Sequence, residues 1–154
     1  MLYGGKAIID THNLQGHKLC VQSIGSLSQR AVRFFIHTNL GMSNNMLHRA
    51  YSRALDAELK CRGFAVDSER PVNTWFTTST GTEILIGPDR CDLFVRHTTQ
   101  NPIVLELKVR KPMNGDKAQL KRYMKGFKME LKQETCGALV YFLGDSHKVD
   151  WFEE

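Results

Sequence analysis

The chain has 154 residues, 42% hydrophobic and 24% charged, with a net charge of +5 and a pI near 9.1. That is enough for one domain with a real core and is ordinary for a soluble globular protein. It holds no apolar run near the ~20 residues of a membrane span. Its four cysteines contain no C-x-x-C pair, which argues against a zinc ribbon or an iron–sulfur cluster and for reduced thiols inside a cell.

In chain order, residues 1–24 read as an N-terminal arm or hairpin. Lys6–Asp10 and Lys18–Val21 are the candidate strands around a turn at Asn13–Gly16. No apolar core of a secretory signal follows Met1, so the expected location is intracellular, cytoplasmic or nuclear. Residues 25–154 read as a single domain. Ser26–Leu40 has helical spacing in Leu27, Ala31, Phe34 or Phe35, and Thr38, with Gly41 as its stop. A second helix is expected from about Met46 to Arg62, its buried stripe being Leu47, Ala50, Tyr51, Ala54, Leu55 and Leu59.

β structure follows. Phe64–Val66, Thr74–Thr77 and Glu83–Ile86 are expected as short strands separated by Pro71 and by Ser79-Thr80-Gly81, and Gly87-Pro88-Asp89 is expected as a turn. Arg90–Val95 and Pro102–Lys108 then form a hairpin around the polar stretch His97–Asn101. A third helix is expected over Asp116–Glu134, with Leu120, Tyr123, Met124, Phe127 and Leu131 on one face. Gly137–Phe142 reads as a buried strand and Val149–Phe152 as an edge strand. This order predicts an α/β fold with a mixed central β-sheet flanked by helices.

The charges in the central hairpin carry the chemistry. Asp92 opens one apolar strand, and Glu106 and Lys108, two apart on the next, share a face. Charges on apolar strands cost free energy unless they pair or hold a metal. Two carboxylates beside an ammonium suit metal-assisted phosphodiester cleavage, in which the ion polarises the phosphate and lowers the pKa of a bound water. Lys108 would orient the water or stabilise the developing charge. Glu-x-Lys alone equally describes an ordinary strand with a solvated face. Asp89 is a second candidate acid, but it falls in the expected turn, so Asp92 is preferred.

Further signals lie on the helices. Gln119 and Tyr123, four apart, share a face of the third helix, although Tyr123 also reads as core. Lys108, Arg110, Lys111, Lys117, Lys121, Arg122, Lys125, Lys128 and Lys132 lie among few acids. They describe either a phosphate-attracting groove or a solvated helix face. His48 on the second helix is a metal ligand or a boundary residue, and Glu58 a buried polar anchor or a half-exposed glutamate.

Taken together, Asp92, Glu106-x-Lys108 and Gln119-xxx-Tyr123 resemble the PD-(D/E)xK nuclease superfamily, with closest similarity to its small single-domain group named for a GxxExxY motif. The resemblance runs from about Ser26 to Phe142. It takes in His37 and Leu40-Gly41, Leu55 through Glu58-Leu59 to Arg62-Gly63, Arg90-Cys91-Asp92-Leu93, Val104–Lys108, Ala118–Leu120 with Tyr123, and the strand led by Gly137. It implies a nuclease-like core acting on nucleic acid, DNA in preference to RNA, with no membrane partner, as a single chain, a homo-oligomer or part of a larger complex. It further implies that Asp92 and Glu106 hold Mg²⁺ or Mn²⁺ with the Leu107 carbonyl as a further ligand. Lys108 would then serve the water, and Gln119 and Tyr123 would shape the site, as in RecB-like members. The implied nucleic-acid contacts are Arg110, Lys111, Lys117, Lys121, Arg122 and Lys125. At the name motif, Asn45, His48 and Tyr51 stand where Gly, Glu and Tyr are expected. RecB-like and related CRISPR adaptation nucleases use a histidine on an early helix as a ligand, which places His48 in the metal set. The alternative is a catalytically inactive nucleic-acid-binding module or an interaction subunit.

Overall fold

The structure, a computed structural model, describes residues 20, 22–27, 44–97, 101–143 and 146–153. Helix α1 takes in Cys20 and residues 22–27, and α2 spans Asn44–Cys61. Strands β1 (Ala65–Thr77), β2 (Glu83–Arg96) and β3 (Ile103–Lys108) come next. They are followed by α3 (Asp116–Leu131), β4 (Cys136–Phe142) and β5 (His147–Glu153). The five strands form one sheet in the order β1-β2-β3-β4-β5. Only β3 and β4 are parallel, with α3 as their crossover; the other neighbours are antiparallel. The mixed sheet with flanking helices is as the pattern predicts.

The period of two in the central strands sorts the core into two layers. Leu93, Val95, Ile103, Leu105, Leu107, Ala138 and Val140 pack with Tyr51, Leu55 and Leu59 of α2 and with Cys20, Ile24 and Leu27 of α1. The alternate residues Phe94, Val104, Leu139 and Tyr141 pack with Leu120, Tyr123, Met124 and Phe127 of α3. Burying a side chain of this size stabilises by roughly 1.5–3 kcal/mol. α3 comes close enough to β4 that a Cβ on Gly137 would lie 2.5 Å from the Met124 sulfur.

Three local expectations are corrected. Cys20, expected in a strand, is helical. Cys20, Ile24 and Leu27 fall at i, i+4 and i+7, a helical stripe that buries all three. The other candidate strand at 6–10, and the first expected helix beyond Leu27 with its His37 and Leu40-Gly41, lie outside the described residues. Pro71 does not interrupt β1, which runs unbroken to Thr77. β1 is the sheet's outer strand, and a proline there need not supply a ladder donor on its open side.

Gly87-Pro88-Asp89 is not a turn either but part of β2, paired with Thr74, Asn73 and Val72. β2 pairs with β3 only over Leu93–Val95, so its earlier half has one open side where Pro88 is tolerated. A register shift at Thr74/Trp75 absorbs the irregularity. There Gly87 takes φ 141, and Thr74 Oγ1 donates to its carbonyl. The true turn is at 78–82, where Thr78 N–H donates to the Thr82 carbonyl.

Candidate active site

The site forms where the β2–β3 ladder comes apart. Backbone pairing runs Val95↔Ile103, Phe94↔Val104 and Leu93↔Leu105, and then stops. At the next rung two carboxylates take over the backbone donors. Asp92 N–H donates to Glu106 Oε1 at 2.8 Å, and Leu107 N–H donates to Asp92 Oδ2 at 2.8 Å. Strand separation thus leaves neither of these amides unpaired. It also fixes both acids by charge-assisted bonds.

His48 reaches this gap from α2, half-buried. Its Nε2 lies 3.1 Å from Asp92 Oδ2 and 3.0 Å from the Leu107 carbonyl oxygen. From the opposite layer, Lys108 Nζ donates to Gln119 Oε1 at 2.8 Å, and Gln119 Nε2 donates to the Tyr123 hydroxyl at 3.1 Å. Tyr123 in turn hydrogen-bonds Asp89. The helical spacing of Gln119 and Tyr123 is therefore used as a short chain that holds the ammonium.

The electrostatics follow from burial. Glu106 is 3% exposed. Its desolvation, and next the Asp92 carboxylate, push its pKa up to about 8, against the Asp92 N–H bond and the Lys108 ammonium. The hydrogen bond to Asp92 raises His48 above the usual imidazole value despite partial burial. Burial, followed by Glu106 and Asp89, raises the Tyr123 hydroxyl. The gap favours positive charge, and a cation would displace protons from it.

A divalent ion fits the donor chemistry. Imidazole nitrogen lies 3.1 Å from carboxylate oxygen and 3.0 Å from carbonyl oxygen. Neighbouring ligands on an octahedral ion at 2.0–2.1 Å are separated by about 3 Å. One ring nitrogen faces two acceptors, a place a cation can fill for all three. Among the described residues no group of three His, Cys, Asp or Glu side chains converges as a ligand set, so a third protein donor there would have to be a backbone oxygen such as the Leu107 carbonyl.

Comparison with known proteins identifies the family. The family model described as the PD-(D/E)XK nuclease superfamily matches residues 26–150. The chain belongs to the PD-(D/E)XK nuclease superfamily. Members generally use divalent metals and act on nucleic acid. The fold is also similar to that in "Crystal structure of SSO0001", with a TM-score of 0.50 at 16% identity, over 90% of this chain and 77% of that one. No curated protein matches. No helix among the described residues is long and apolar enough to cross a membrane.

In this superfamily member, Asp92, Glu106, Leu107, Lys108, His48, Gln119, Tyr123 and Arg110 line one cleft of about 450 Å³. Arg90 lines it as well, but of the other basic residues expected to contact nucleic acid none gathers there. Lys125 binds Glu83 and Thr77 near the hairpin tip, and Lys117 sits over the Phe152 ring. Lys111, Lys121 and Arg122 are exposed outside the cleft lining. Arg110 lines the cleft but is clamped by Asp116. Glu58 pairs with Arg62 along α2.

Sequence reasoning set Asp89 aside as a turn residue, yet it lies on β2 at the cleft and anchors Tyr123. It also passed over Arg49, Ser52, Arg53 and Glu69, which line a second cleft at His48 and Asp92. For the three on α2 a signal existed, since they continue the helical face that begins at His48.

Proposed function

We propose that the chain is a nuclease that hydrolyses phosphodiester bonds with Mg²⁺ or Mn²⁺. Asp92, His48 and the Leu107 carbonyl would hold the ion, with Glu106 beside them. When bound, the ion polarises a phosphate and lowers the pKa of water. Lys108 directs its ammonium at the attacking water and at the charge that develops on the phosphate. Gln119, itself braced by Tyr123 and Asp89, keeps Lys108 from folding onto the acids and cancelling them. The GxxExxY-like character of the chain, with His48 at the glutamate position, belongs to the same reading.

The observation that carries it is the parted ladder at Asp92 and Glu106. An ordinary solvated Glu-x-Lys has no reason to bury its glutamate or to take a neighbouring strand's amide. The competing reading, a nucleic-acid-binding module that does not cleave, is favoured by the shortage of side-chain ligands among the described residues and by His48 standing at the expected glutamate position.

Labelled DNA and RNA, linear and circular, incubated with Mg²⁺ or Mn²⁺ separate the two. Wild type is expected to cut one or both, and Asp92→Ala and Glu106→Ala are expected to lose cleavage while keeping a native circular dichroism spectrum. Undiminished cleavage in both variants would refute the site. Binding without cleavage under every condition would leave the module reading.

A further inference from the structure

The second cleft measures about 510 Å³, and apart from His48 and Asp92 its lining has no part in the chemistry above. It shares His48 and Asp92 with the first, so the two open onto each other across the proposed metal position. Its α2 wall carries Arg49 and Arg53, one helical turn apart, with Ser52 between them. Its other wall is Ser68 and Glu69 on β1. Glu69 takes a left-handed φ of 51 where it faces Asp92 across the strand pair, between the rungs Ser68↔Leu93 and Arg70↔Cys91. Strained backbone of this kind gathers at functional sites.

Ion pairing divides the basic residues, and the two arginines fall with Arg90, Lys121 and Arg122 on the side that has none among the described residues. Arg62, Arg70, Arg96, Arg110, Lys60, Lys125 and Lys128 each meet a carboxylate. Neither Arg49 nor Arg53 makes an ion pair among the described residues, and both are exposed at the cleft. Adjacent uncompensated guanidiniums repel each other, a cost removed when an anion lies between them. The guanidinium fork matches the oxygens of a phosphate. Each strand of a B-DNA duplex carries a phosphate every ~3.4 Å of helix axis. A strand placing one phosphate at the Asp92–Glu106 gap has a neighbouring phosphate within reach of the adjoining clefts, which share His48 and Asp92.

We propose that the second cleft is a phosphate subsite, in which Arg49 and Arg53 clasp a phosphodiester next to the scissile one. The inference rests on the nuclease reading for the meaning of "scissile", but the binding does not require cleavage. Substrate then enters over α2 and leaves toward Gln119 and Arg110, and α2 supplies both a ligand to the metal and a grip on the strand. Glu69, on the facing wall, keeps the phosphate on the arginine side and weakens its binding at the same time.

The test uses the whole chain in EDTA, titrated with a short fluorescent single-stranded DNA over a series of KCl concentrations. Glutamine is a good helix former, so Arg49→Gln/Arg53→Gln should stay folded, and its melting curve checks this. The double variant should bind about tenfold more weakly, as expected from removing a charge-assisted hydrogen bond. Its slope of log K against log salt should flatten by about 0.7, the value for one single-strand phosphate. Glu69→Gln should shift affinity the opposite way, and Arg49→Lys/Arg53→Lys should recover part of the loss. In cleavage with Mn²⁺ the double variant should raise KM more than it lowers kcat.

Unchanged affinity and slope in the folded double variant, or no oligonucleotide binding by wild type at low salt, overturns the subsite. The two readings fail separately. Arginine-dependent binding by a chain that never cleaves removes the nuclease and keeps the subsite, whereas cleavage with arginine-independent binding does the reverse.

Discussion

At the residue scale, His48 is where the proposed metal set departs from two carboxylates and a backbone oxygen. An imidazole ligand lowers the negative charge of the set by one and is softer than a carboxylate, which favours Mn²⁺ over Mg²⁺. His48→Ala is expected to weaken Mn²⁺ binding by at least about tenfold in a calorimetric titration, as removal of a supporting group at a metal site does. His48→Glu is expected to restore activity with better use of Mg²⁺. If His48→Ala binds Mn²⁺ as tightly as wild type, the ring is only a partner for Asp92. Asp92, Glu106 and Lys108 could be singled out in the sequence because charges on apolar strands demand a reason, and the structure gathers all three at one cleft. Asp89 was not legible, because the proline before it carries a strong local turn signal, and only the sheet reveals that β2 is open on one side there.

At the element scale, two devices hold α3 where Gln119 can meet Lys108. Asp116, at the first position of α3, takes both ends of the Arg110 fork and accepts from Tyr141 and the Met113 amide. The Arg110 guanidinium foremost holds this carboxyl well below the usual carboxylate range. A depressed folded pKa adds stability above the unfolded value, near 3.9 for aspartate, and that stability is lost as pH falls toward the folded one. Asp116→Asn should therefore lower stability at pH 7 by about 2 kcal/mol, the scale of a charged hydrogen bond. The gap to wild type should narrow below about pH 4 in urea melts. An equal gap at neutral pH and in acid well below that would show that the carboxylate's charge is not what matters.

The second device is Gly126, inside α3, where helix propensity alone predicts that alanine gains ~1 kcal/mol. Its Cβ would collide with the Asn73 carbonyl oxygen on β1. Gly126→Ala is expected to destabilise by about 1–3 kcal/mol instead, as overpacking does, and a gain in the same urea melts would contradict the close approach. α2, α3 and the central strands were legible from their periods, whereas α1 was not, since Cys20 fell in a stretch too short to tell strand from helix. The β1–β2 ribbon was not, since prolines and glycines mark breaks locally and cannot report that a strand lies at an edge.

For the whole molecule, a net charge of +5 only weakly favours a polyanionic partner and does not say where one would bind. Composition made α3 look like a continuous basic stripe, and the structure divides that stripe by partner. Lys125 and Lys128 answer Glu83 and Glu134, and Arg110 answers Asp116. Lys121 and Arg122 are exposed and make no ion pair among the described residues. A cation already facing a carboxylate releases few counterions when a phosphate arrives, and exposed pairs of this kind contribute little to stability. Lys121→Gln/Arg122→Gln should therefore flatten the salt dependence of DNA binding, by roughly 0.7–0.9 for each phosphate that is no longer neutralised. Lys125→Gln/Lys128→Gln should leave both the slope and the melting temperature close to wild type. Binding isotherms over a series of KCl concentrations decide it. If the second pair flattens the slope as much as the first, the strand reaches along the whole of α3, and the ion pairs at Glu83 and Glu134 open to admit it.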